Sequence, residues 1–158
     1  MGTRLQAVIR MVTGMSLGLL LAACGEDLGV DQSGRKVPAG RLEGQWLVIN
    51  YWAEWCAPCR TEIPELNALD RQLGDWASVV GVNFDGLQGA QLSGAVQALG
   101  IEFTVLAQDP SARFGLPRPQ VLPATFIVDD RGRLRERLVG EQTAAGLSER
   151  LAALQVEK

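Results

Sequence analysis

Histidine is missing from the chain altogether, and apart from Cys24 the only cysteines are Cys56 and Cys59. Structural zinc takes four protein ligands, completed by a second cysteine pair or by histidine, and the sequence offers neither, so no metal site is expected. Covalent haem attachment needs Cys-x-x-Cys-His, and Arg60 stands where that histidine would be. Basic charge is scarce as well: 15 Lys and Arg against 18 Asp and Glu give a formal net charge of −3. That balance argues against general nucleic-acid binding, which wants a basic footprint. Repeats, low-complexity tracts and a dinucleotide-binding fingerprint are all absent, so no cofactor is implied.

A spanning hydrophobic run is lacking too. "MGTRLQAVIR" carries Arg4 and Arg10, and "MVTGMSLGLLLAAC" follows as an uncharged apolar segment. It falls short of the ~18 apolar residues of a membrane-crossing helix and ends in small residues, which reads as a secretory signal. "LAAC", Leu21 to Cys24, resembles the lipobox of bacterial lipoproteins. That resemblance implies a signal over residues 1–23 and acylation of Cys24 as the new N-terminus, giving a lipid-anchored protein of the cell envelope. An ordinary signal cleaved nearby, or a short uncleaved anchor, is the alternative. All three methionines lie within the first 15 residues and would leave with the signal.

Residues 24–44 are rich in Gly and charge and contain the turn signal "DQSG". They are expected to form a short tether and a poorly formed strand or hairpin ahead of a single domain over 45–158. From residue 45 the pattern becomes regular. "QWLVINYW" reads as a central strand covered on both faces. "CAPCRTEIPELNALDRQLG" has Ile63, Leu66, Leu69 and Leu73 at helical spacing, with Pro58 in its first turn, Gly74 as its stop and Pro64 as an internal kink. "SVVGVNF" (78–84) and "FTVLAQD" (103–109) are further strands, separated by a small-residue helix that ends at Gly100, and "PSARFGL" is a short helix or turn. "ATFIVDD" and "RLRERLV" flank Arg131 and Gly132 as a hairpin, and a helix capped by Thr143 closes the chain. Alternating strands and helices followed by a hairpin define an α/β class with a mixed sheet. Arg133, Arg135 and Arg137 should share one face of the last strand, as charged edge strands do.

Two readings compete for the cysteine pair. One is a structural bridge, although a loop this short gives a disulfide little entropic leverage. The other is a working couple. Cys56 falls at a strand-to-helix junction, where free N–H groups and the helix dipole favour a thiolate. It would attack a substrate disulfide, and Cys59, one turn on, would attack the Cys56 sulfur to release the product.

"WAEWCAPC" after a buried strand, Pro64 five residues beyond Cys59, and "LPATF" before the terminal hairpin together resemble the thioredoxin fold. With the lipobox and "INYWAEWCAPCRTEIPEL", the chain looks like the TlpA/ResA group of membrane-anchored thiol:disulfide oxidoreductases over roughly residues 28–156. The resemblance implies a central mixed sheet flanked by helices with a TlpA-like central insertion. It also implies a cis Pro123 facing the cysteines, with the Leu122 backbone pairing to substrate, and Trp55, Ala57 and Pro58 bordering the site. Asn50 stands where thioredoxin keeps a buried acid, and an amide cannot take the proton that Cys59 must lose. Glu62 lies three residues after Cys59 on the same side of a helix and is the candidate proton acceptor. The alternative for Glu62 is an acid placed favourably near a helix N-terminus.

By resemblance, the chain is expected to reduce protein disulfides outside the cytoplasm, facing the periplasm or the extracellular side, in cytochrome c or copper-protein maturation. Electrons would come from a membrane donor of the DsbD/CcdA type. The Ala57-Pro58 dipeptide lacks the histidine of strongly oxidising relatives, which favours a reductant. A non-catalytic binding or chaperone module using the groove around Trp55 and Pro123 is the rival reading. A peroxidase fits less well, because peroxiredoxins do not need a vicinal pair.

Overall fold

The computed structural model describes residues 27–157. The signal, Cys24 and the first tether residues therefore lie outside the described residues. Strand β1 (Trp46–Trp52) is buried at every position, as its unbroken apolar run requires: a strand with no polar face needs cover on both sides. It occupies the centre of a five-stranded sheet ordered β3-β2-β1-β4-β5. β2 (Ala77–Asn83) pairs parallel to β1, and β3 (Thr104–Leu106) parallel to β2. On the other side β4 (Ala124–Val128) runs antiparallel to β1, and β5 (Leu134–Val139) antiparallel to β4. The helices are α1 (Ala39–Leu42), α2 (Ala57–Leu73), α3 (Gly89–Leu99), α4 (Ser111–Phe114) and α5 (Ala144–Val156).

The period of two along β1 divides the core into two layers. Trp46, Val48 and Trp52 point to one face, where Ile63, Leu66 and Leu69 of α2, Leu92 of α3, and Leu147 and Leu151 of α5 cover them. Leu47, Ile49 and Tyr51 point to the other, packed with Val80, Val82 and Phe126 beneath Leu28, Val37 and Leu42. Long helices thus cover one face, while the segment before β1 contributes cover to the second. Among the described residues no helix is long and apolar enough to cross a membrane.

Local signals act where the sequence places them. Gly74 ends α2 with φ 59°, a backbone angle that excludes most side chains. Thr143 Oγ1 caps α5 by accepting from the Gly146 N–H at 3.1 Å. α2 runs unbroken through Pro64.

Three features depart from expectation. β3 is confined to Thr104–Leu106, and the segment before β1 lies against its free edge, with Gln32 N donating to Val105 O at 3.0 Å and Asp31 bridging to Leu106. That same segment includes the four-residue helix α1, too short to leave a periodic signature. The arginines of β5 do not share a face. A register shift opposite Ile127 and Val128 sets Arg135 apart, so its guanidinium lies over Trp46 on the helix-covered side, whereas Arg137 lies over Phe126 on the other.

At the β4–β5 turn, buried Asp129 accepts from the N–H groups of Arg131 (3.0 Å) and Arg133 (2.9 Å) and pairs with the Arg133 guanidinium at 2.7 Å. Burial pushes this carboxyl up, but the hydrogen bonds and charge of Arg133, with the Arg131 N–H, outweigh it and hold the group below its ordinary range.

Candidate active site

β1 delivers the chain to the C-terminal end of the sheet, where residues 53–56 leave it and α2 begins. Cys56 is the N-cap of α2, and its Sγ accepts a hydrogen bond from the Cys59 N–H at 3.2 Å. A sulfur there meets the unpaired N–H groups and positive end of a 17-residue helix, which stabilises negative charge on it. Cys56 and Cys59 are joined as a disulfide, with Cα atoms 5.3 Å apart. Cys56 retains 4% of its surface exposed and Cys59 none. Of the two, Cys56 is the sulfur that an outside group can reach.

Ala57 is exposed and Pro58 half-buried at the start of the helix. Trp55 is no core residue: it is 64% exposed. Its Nε1 donates to Asp85 at 2.9 Å, and its ring meets Phe84 edge-on at 6.5 Å. The Arg118 guanidinium lies 4.8 Å from the other aromatic's centre, that of Phe84. Phe84, Asp85 and Arg118 escape sequence reasoning, since the ends of unrelated loops carry no shared pattern.

The Leu122–Pro123 bond is cis. Pairing of Tyr51 with Ala124 puts Pro123 one residue beyond the sheet, at the end where β1 turns toward Cys56. Leu122 is half-buried against both core layers, and Pro123 O accepts from Gly140 N at 2.9 Å.

Glu62 lies one turn below the cysteines with only 1% of its surface exposed. Oε1 accepts from Asn50 Nδ2 at 2.5 Å, and Oε2 from the Gln142 N–H at 3.0 Å. Asn50 Nδ2 also donates to Thr125 Oγ1 at 3.0 Å. Burial pushes the Glu62 carboxyl up to about 7, against the pull of these two donors, and nearby Glu141 adds to the rise. A carboxyl poised there can hold or release a proton near neutral pH. Thr125 was not singled out by sequence, although an asparagine inside an apolar strand signals a buried partner. No cluster of metal-binding side chains occurs among the described residues.

Comparison with known proteins agrees with this geometry. The model of the AhpC/TSA family matches residues 22–137. The chain is 32% identical over 138 residues to the thiol:disulfide interchange protein HelX of Rhodobacter capsulatus, spanning 77% of this chain and 76% of that one. It is 28% identical over 114 residues to the thiol-disulfide oxidoreductase ResA of Bacillus anthracis, spanning 72% and 65% of the two chains. The crystal structure of a DsbF homologue from Corynebacterium diphtheriae superposes with a TM-score of 0.66 at 27% identity, covering 79% of this chain and 82% of that one.

Proposed function

The chain belongs to the AhpC/TSA family and is a thiol:disulfide oxidoreductase of the ResA, DsbE and HelX type, and from that premise we propose that it reduces protein disulfides outside the cytoplasm. The observation that carries the reading is the Cys56–Cys59 pair at the start of α2, with Cys56 as N-cap. In the reduced protein the Cys56 thiolate attacks a substrate disulfide; one substrate sulfur leaves as a thiolate and a mixed disulfide forms. Glu62 accepts the proton of the Cys59 thiol. The Cys59 thiolate then attacks the Cys56 sulfur, the second substrate sulfur departs, and the enzyme is left with its internal disulfide. Two electrons pass from enzyme to substrate. Trp55, Ala57, Pro58, Leu122 and Pro123 form the docking surface, with the Leu122 backbone at the substrate chain.

A membrane reductant of the DsbD/CcdA type restores the dithiol. The lipobox supports anchoring through Cys24, and the resemblance of "INYWAEWCAPCRTEIPEL" to the TlpA/ResA group supports a place in cytochrome c or copper-protein assembly. The test is an equilibrium titration of the Cys56/Cys59 couple in a thiol buffer, followed by turnover on a disulfide-bonded protein. A potential near about −270 mV is expected of a reductant; a value near about −120 mV marks an oxidant and overturns the direction. Cys56→Ser should abolish turnover, and full peptide binding without any turnover in the wild type would favour a binding module.

A further inference from the structure

One buried polar atom in the proton-handling layer has no partner. Asn50 Nδ2 serves two acceptors, Glu62 Oε1 and Thr125 Oγ1, while Asn50 Oδ1 is buried without a hydrogen bond. This arrangement suits an ionised Glu62, with one donor on each carboxylate oxygen. It does not suit a protonated one. The proton would sit on Oε1, since Oε2 keeps the Gln142 N–H, and an O–H would then face an N–H.

The two ends of a carboxamide are nearly equal in size, so rotating it end for end exchanges donor for acceptor without repacking the core. After rotation Oδ1 accepts from the Glu62 O–H and from the Thr125 hydroxyl, which can donate as readily as accept. We propose that Asn50, supported by Thr125, is a positioning residue that lets Glu62 take up and return a proton by turning its side-chain amide. The rotation leaves Nδ2 unpaired in place of Oδ1, and a buried orphan donor is rarer than a buried orphan acceptor. The ionised arrangement is therefore the better satisfied of the two, which favours return of the proton. The proposal rests on Glu62 receiving the Cys59 proton.

Other groups around Glu62 do not offer this choice. β1 and β4 present the uncharged Asn50 and Thr125; the loop before α5 presents Glu141 and the fixed Gln142 N–H. On α2, the cysteine pair lies one turn above, and Glu65 is engaged by Ala144 N at 2.9 Å.

The test is an NMR pH titration of the full chain with carboxyl-labelled glutamate and amide-labelled asparagine. The Glu62 carboxyl carbon and both Asn50 side-chain amide protons are expected to titrate with one midpoint. Asn50 signals that stay flat through the Glu62 transition overturn the proposal. In parallel, Asn50→Leu removes a donor from the carboxylate, so the pH midpoint of the mixed-disulfide release step should move up by about one unit, a tenfold change in proton affinity. Lost stability with an unmoved midpoint would mean a purely structural role. Should Asn50→Leu not fold, the wild-type titration still decides. Glu62→Gln separates the two failures: release slowed in that variant with flat Asn50 signals sinks the Asn50 role alone, whereas unchanged release sinks Glu62 as acceptor and this inference with it.

Discussion

The Sγ of Cys56 accepts the Cys59 backbone N–H at 3.2 Å, so the first cysteine of the pair caps the helix that carries the second. Negative charge is favoured on one sulfur and not the other. With the bridge reduced, iodoacetamide at neutral pH is expected to modify Cys56 at least about tenfold faster than Cys59. Peptide mapping after brief alkylation checks the order; equal labelling would contradict it.

Glu62 predicts an unusual slope of stability with pH. Its folded-state value of about 7 lies above the ordinary 4.5, so the folded protein binds a proton more tightly than the unfolded chain. The stability this gives is complete below pH 4.5 and is lost as pH rises through 7. A difference of this size corresponds to about 3 kcal/mol. Urea unfolding of the oxidised protein should show the decline, and Glu62→Gln should flatten it.

Asp129 should do the reverse. Its folded value lies below the ordinary range, so its contribution is present above that range and fades as acid is added. Asp129→Ala leaves the Arg131 and Arg133 N–H groups without their acceptor. A loss of about 2–4 kcal/mol is expected in denaturant melts, with the cysteine chemistry intact.

Trp55 separates docking from folding. Being 64% exposed, it can be removed with little effect on the core. Trp55→Ala should change stability by about 0.5 kcal/mol or less while slowing mixed-disulfide formation with a protein substrate several-fold. Unchanged kinetics on protein substrates would remove Trp55 from the docking surface.

Elements set by neighbours in sequence were legible. The apolar run of β1, the helical spacing from Ile63 to Leu73, Gly74 and the Thr143 cap each act within a few residues. Features set by distant partners were not. The free edge of β3 is met by a segment more than 70 residues earlier, through Gln32 N and Val105 O. The register shift in β5 reverses its arginines with no local signal in "RLRERLV". The same division runs through the site. Cys56 at a strand-to-helix junction is readable from the motif, and so is Glu62 on the following turn. That Glu62 is enclosed by Thr125 through Asn50, and by the Gln142 N–H 80 residues away, belongs to the tertiary fold alone.

The unequal exposure of the two sulfurs reaches beyond the single turnover. With Cys59 sealed inside, electrons enter and leave by one doorway, Cys56. Supplier and recipient must therefore queue for the same atom, and no three-body assembly passes charge straight through. Initial-rate plots against substrate, drawn at several concentrations of the reducing protein, should form parallel lines, and a surplus of either visitor should obstruct the other.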